Sequence, residues 1–156
     1  ESVFDGEFRF SYQRRSHQSY IKVESGQEFL IVDKECVLVQ RTTSKEQDKR
    51  LQCAVLPQRF INKACGVVVE NHLNMVIPEA HSEVKVGAKT ICALLNSRVV
   101  DEIFRCISGS VAVSAYELGN LPLPSVNQLI ELQQAIKKGF SKDSIEALIT
   151  KYYGGV

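Results

Sequence analysis

The sequence predicts an α+β fold, with a β-rich N-terminal part forming a twisted mixed or antiparallel sheet and helices concentrated in the C-terminal half. Up to about residue 78 the apolar residues come in short runs or alternate with period two, as in Glu7-Phe8-Arg9-Phe10-Ser11-Tyr12. From Lys89 onward they recur at helical spacing. At 156 residues and 44% hydrophobic content the chain can bury one core, so residues 1–156 read as a single domain.

Residues 7–12 predict a half-buried strand. Residues 20–23 and 29–32 resume strand character around Ser25-Gly26, which predicts a hairpin or short connection. Residues 37–41 and 50–56 are the next two strands. Gly66-Val67-Val68-Val69-Glu70 is dense in β-branched residues and predicts a central strand. Met75-Val76-Ile77, closed by Pro78, predicts another, and a polar insert at 79–85 separates the two halves. Ile91, Leu94 and Leu95 mark one helix, and Val99, Val100, Ile103, Phe104 and Ile107 mark a second, with Ser97 as its N-cap. Gly109 suits a left-handed helix end. Val111-Ala112-Val113 predicts a short strand, and Leu121-Pro122-Leu123-Pro124 an extended segment. Ser125 caps a helix to about residue 138, and Ser141 starts a last one that turns Ile145, Leu148 and Ile149 inward.

No apolar run approaches membrane-spanning length, and no signal peptide opens the chain. It begins at Glu1 without a methionine, as a mature chain or a piece of a longer protein would. Cys36, Cys53, Cys65, Cys92 and Cys106 contain no CxxC pair and sit mostly in apolar runs, so they read as buried, reduced thiols of a cytoplasmic protein. His17, His72 and His81 have no closely spaced ligand partner, which argues against zinc.

Catalytic motifs are missing. No glycine-rich turn joins a strand to a helix, no two prolines are adjacent as the amino-methyltransferase signature Asn-Pro-Pro-Tyr requires, and no GxSxG elbow is present. Glu83-Val84-Lys85 matches the short E-x-K element of magnesium-dependent nucleases, but it lies in the polar insert without a preceding Pro-Asp.

The formal net charge of +1 excludes a generally basic nucleic-acid binder, yet charge is concentrated locally. Between residues 41 and 59 the cations Arg41, Lys45, Lys49, Arg50 and Arg59 outnumber the acids Glu46 and Asp48. The ten polar residues Arg41-Thr42-Thr43-Ser44-Lys45-Glu46-Gln47-Asp48-Lys49-Arg50 lie between two strand-like runs. They present the guanidinium, ammonium, hydroxyl and amide groups that contact phosphates and base edges. A solvated hairpin tip is the simpler alternative.

Three stretches in order carry a resemblance. The first runs from Val37 through that polar segment to Leu51; the second is Val69-Glu70-Asn71-His72-Leu73-Asn74. The third is Leu94-Leu95-Asn96-Ser97 followed by Ile107-Ser108-Gly109-Ser110 and continuing to Leu121-Pro122-Leu123-Pro124. Together they resemble the C-terminal target recognition domain of adenine-specific DNA methyltransferases of restriction-modification systems. The last stretch is also similar to type I restriction specificity subunits.

The resemblance implies a non-catalytic DNA-reading module of a larger bacterial or archaeal enzyme, an N6-adenine DNA methyltransferase or a fused restriction-modification enzyme. Its partners would be double-stranded DNA and an N-terminal methyltransferase domain, and S-adenosylmethionine would belong to that other domain. The target adenine must be flipped from the stack, so the recognition module grips the duplex beside it. On this reading Arg41 and Arg50 are forks for bases or phosphates, and Lys45 and Lys49 suit phosphates. Thr42, Thr43 and Gln47 contact either. Asn71, His72 and Asn74 face a groove or cap their own turns, and Arg105, like Arg98, projects from a helix toward DNA or solvent. The competing expectations are a type I specificity half-domain, a small nuclease built on Glu83 and Lys85, and a protein-interaction module.

Overall fold

A computed structural model describes residues 3–4, 6–10, 20–42, 47–79, 83, 85–110 and 112–155. The fold is α+β with antiparallel sheets, strands first and helices last.

The organising element is strand β4, Cys36–Gln40, which occupies the centre of a three-stranded antiparallel sheet between β5, Cys53–Leu56, and β7, Leu73–Val76. Its register runs from Cys36 opposite Leu56 to Val39 opposite Cys53 on one side, and from Val37 opposite Val76 to Gln40 opposite Leu73 on the other. Successive side chains of a strand face opposite ways. Val37 and Val39 therefore join Leu94, Leu95, Val100, Phe104, Leu132 and Ile149 of the helical layer. Cys36 and Leu38 face a smaller core with Val3, Leu56 and Ile61. Coverage of both faces explains why Cys36, Val37, Leu38 and Val39 are all buried and why this run does not alternate.

Two ribbons flank this sheet. β1, Val3–Phe4, pairs with β2, Glu7–Phe8, and β3, Ile31–Val32, pairs with β6, Val67–Val68, both antiparallel. Phe8 packs its edge on Phe60 with ring centroids 5.0 Å apart. Helix α1, Gln58–Ala64, supplies Phe60 and Ile61.

The C-terminal helices are α2, Ala88–Leu95; α3, Arg98–Ile107; α4, Ala115–Gly119; α5, Val126–Lys137; and α6, Lys142–Tyr152. Serine hydroxyls accept backbone N–H groups at the starts of α3 (Ser97), α4 (Ser114), α5 (Ser125) and α6 (Ser141). At α4 and α5 the third residue, Glu117 or Gln128, reaches back to the cap and closes a reciprocal capping box. Gly139, at φ 76°, takes the left-handed position after α5, and Phe140 N–H closes on the Ala135 carbonyl at 3.2 Å.

Several sequence expectations are corrected. The β-branched run at 66–70 is not a central strand: only Val67–Val68 pair, and they do so with β3 outside the main sheet. Gly66 marks a close approach, since a Cβ there would lie 2.5 Å from Ile31 Cγ2. Residues 20–32 form no hairpin; a 3-10 turn at Glu28–Leu30 precedes β3. Helices α1 and α4 are additions to the elements predicted from sequence. Both are short, and packing rather than long apolar periodicity sustains them. Gly109 does not have positive φ, because α3 ends on Ser108 in extended conformation. Residue Ala112 forms an isolated bridge with Thr42 instead of a strand. All five cysteines are free thiols, but Cys65 and Cys106 are exposed. Among the described residues no helix is long and apolar enough to cross a membrane.

Candidate nucleic-acid interface

The β4–β5 hairpin carries the polar segment on its connection, as the sequence predicts. Thr43, Ser44, Lys45 and Glu46 lie outside the described residues, so the Thr43 and Lys45 expectations concern positions whose structure is not described. The two flanks of the segment are built in different ways.

On the β4 side the chain continues the sheet past Gln40. Arg41 N–H donates to the His72 carbonyl at 2.9 Å, Val113 N–H donates to the Arg41 carbonyl at 2.7 Å, and Thr42 bridges Ala112. Arg41 is thus held on both sides by backbone, and its Nη1 donates to the Asn71 carbonyl at 3.3 Å. Arg41, Thr42, Asn71 and His72 are exposed and form one polar edge at this end of the sheet. His72 Nδ1 lies 2.5 Å from Glu70 Oε2, and that hydrogen bond is the main reason the Glu70 carboxyl is lowered below its ordinary 4.5. Asn74 turns inward: its Nδ2 donates to the Val113 carbonyl at 2.7 Å and ties β7 to the segment after α3.

On the β5 side the chain is strapped to the helices. Arg50 is only 9% exposed, and its Nη2 donates to the Ser110 carbonyl. Its position inside the protein differs from the DNA-facing fork expected from sequence. Asp101, 4% exposed on α3, accepts from Arg50 N–H at 2.6 Å and Leu51 N–H at 2.7 Å through Oδ1, and from Arg105 Nε at 2.8 Å through Oδ2. Arg105 then donates from Nη2 to the Asp48 carbonyl at 2.9 Å and to the Gln47 carbonyl at 3.4 Å. Lys49 Nζ donates to the Asn96 carbonyl. The Asn96 side chain completes the strap by pairing with the Cys53 backbone, accepting at 3.0 Å and donating at 2.9 Å, which covers the free edge of β5.

The structure therefore brings Arg41, Thr42, Asn71 and His72 to one exposed edge, while it directs Arg50, Arg105, Lys49 and Asn74 to protein acceptors. Gln47 is half-buried. Arg98 is exposed at the start of α3, where its N–H donates to Glu146 Oε1 at 2.7 Å. Glu83 and Lys85 are both exposed and belong to no helix or strand; Val84 between them is outside the described residues.

Asp101, Asn96 and Glu117 have roles here that the sequence expectations do not assign them. Asp101 has a legible trace, an acid four residues before Arg105 inside an otherwise apolar stripe. Glu117 has one too, in Ser114-Ala115-Tyr116-Glu117; bonds from the Ser114 hydroxyl and backbone lower its carboxyl below the ordinary 4.5. Asn96 has none, since its partner lies 43 residues away. A groove of about 970 Å³ runs beside the hairpin connection, lined in part by Asp48, Lys49, Lys89, Lys142 and Glu146. Its lysines, Lys49, Lys89 and Lys142, are matched in number by Glu7, Asp48 and Glu146, so it lacks the single-sign field that tracks a phosphate backbone. Among the described residues no group of three His, Cys, Asp or Glu side chains is arranged to hold a metal ion.

No family model matches the chain, and no solved structure matches it. Over 112 residues it is 33% identical to a type II methyltransferase of Bacillus subtilis, M.BsuBI, a match that covers 72% of this chain. The match spans 22% of the relative's length.

Proposed function

We propose that this chain is the duplex-reading part of a larger adenine-specific DNA methyltransferase of a restriction-modification system, and that it is non-catalytic by itself. The observation that carries the reading is the similarity to a type II methyltransferase over a small share of that protein's length. A module of such an enzyme that lacks Asn-Pro-Pro-Tyr fits recognition, with methyl transfer and S-adenosylmethionine assigned to another part of the polypeptide.

Arg41, Thr42, Asn71 and His72 are the groups that meet DNA. Arg41 is the base-reading fork: backbone bonds on both sides hold its main chain at the end of the sheet, and its exposed guanidinium, with Nη1 on the Asn71 carbonyl, has donors left for a base. Rigid positioning limits the side-chain entropy lost on binding. Lysine and arginine contacts with phosphates would supply the salt-dependent, sequence-independent share of affinity.

The test is selection of bound duplexes from a random library by the wild-type chain and by Arg41→Ala. The wild type is expected to enrich a short motif. Arg41→Ala is expected to lose preference at one position, about 1–3 kcal/mol of discrimination, and to retain residual binding at low salt. Absence of any enriched motif with the wild type would refute the reading, and an unchanged motif with the variant would remove Arg41 from it.

A further inference from the structure

We infer that Asp101 and Arg105 are positioning residues for sequence readout: they make helix α3 the brace that holds the hairpin connection in register beside the Arg41 edge. The inference rests on the DNA-reading function proposed above and assigns α3 a role in it that no contact with DNA requires.

The observations converge on one carboxylate. Asp101 is buried, and its two oxygens accept three donors: Arg50 N–H, Leu51 N–H and Arg105 Nε. Buried carboxylates are costly unless such bonds compensate them. Arg105 relays the hold onward to the carbonyls of Asp48 and Gln47. With Lys49 on the Asn96 carbonyl, every residue from Gln47 to Leu51 is tied to α3, or to the turn between α2 and α3, by its own atoms or those of a neighbour. Arg105 is exposed and cationic, so a phosphate contact is its obvious role. Its Nε and Nη2, however, are already directed at three protein acceptors.

Two conservative variants separate these roles. Asp101→Asn keeps an oxygen for the two backbone N–H groups and turns a donor toward Arg105. Arg105→Lys keeps the charge but cannot form the planar fork. Both, with Arg105→Ala added to remove the charge, are compared with the wild-type chain by amide hydrogen exchange over residues 47–51 without DNA, by motif selection, and by the salt dependence of duplex binding. Thermal midpoints verify folding.

The expected result is faster exchange over 47–51 in both variants, a loss of base preference of about tenfold or more, and an unchanged salt slope. Unchanged exchange over 47–51 in Arg105→Lys, a surface change that leaves the core intact, would overturn the inference. So would a salt slope about one phosphate shallower in Arg105→Ala and restored in Arg105→Lys, which is the signature of a direct phosphate contact. A wild-type chain that selects no motif refutes the DNA-reading proposal instead, and the exchange measurement still decides whether the brace exists.

Discussion

Arg41 and Arg50 stand at the two ends of one polar segment and have opposite fates. Arg41 continues β4 and remains exposed, whereas Arg50 is carried under α3 and donates to the Ser110 carbonyl. Glu117, by contrast, depends on partners three residues away. Its carboxyl is lowered first by the Ser114 hydroxyl and then by the Ser114 backbone, as the reciprocal half of a capping box. A carboxylate held below its ordinary value stabilises the fold above about pH 4.5, and that contribution fades as pH falls through the lowered value. Glu117→Gln is therefore expected to narrow its stability gap to the wild type as pH falls from 7 toward 3 in urea unfolding. A gap constant across that range would contradict the assignment. The capping box is legible in Ser114-Ala115-Tyr116-Glu117. The burial of Arg50 is not, because it depends on Asp101, 51 residues away.

Among the elements, α3 and α5 follow their sequence signals closely, from Ser97 and Ser125 at their caps to Gly139 at the end of α5. Phe104 is fully buried at the middle of the helical core, and Phe104→Ala is expected to cost about 3–5 kcal/mol in chemical denaturation. Ser125→Ala breaks a capping box on a surface helix end and is expected to cost only about 1 kcal/mol. A larger loss at Ser125 than at Phe104 would reverse this picture of what holds the helical layer. The β elements follow local propensity less well. Residues 66–70 have the strongest strand composition and contribute two paired residues, while Cys36–Gln40 forms the central strand. β-propensity reflects fit to neighbouring side chains, and the neighbours come from elsewhere in the chain.

At the scale of the molecule, one sheet is covered on both faces, by helices on one side and by α1 with the N-terminal ribbon on the other. That burial pushes the Cys36 and Cys92 thiols up to about 11 and raises Cys53 well above its ordinary value, while Cys65 and Cys106 remain exposed. The thiolate is the reacting species. Alkylation of the native protein at neutral pH is expected to label Cys65 and Cys106 and to spare Cys36, Cys53 and Cys92 until denaturant is added, as read by peptide mass spectrometry. Early labelling of Cys53 would mean that the sheet is not covered as described.

By itself the sequence determined the α+β class, the β4–β5 hairpin with its polar connection, the capped helices α3, α5 and α6, and the order of segments that resembles a recognition domain. These depend on periodicity, caps and composition, which are local. Only the tertiary structure decided which cations of the polar connection face outward and which brace it. That choice is made where α3 packs against the end of the hairpin, through a buried carboxylate whose partners lie about fifty residues away in the chain.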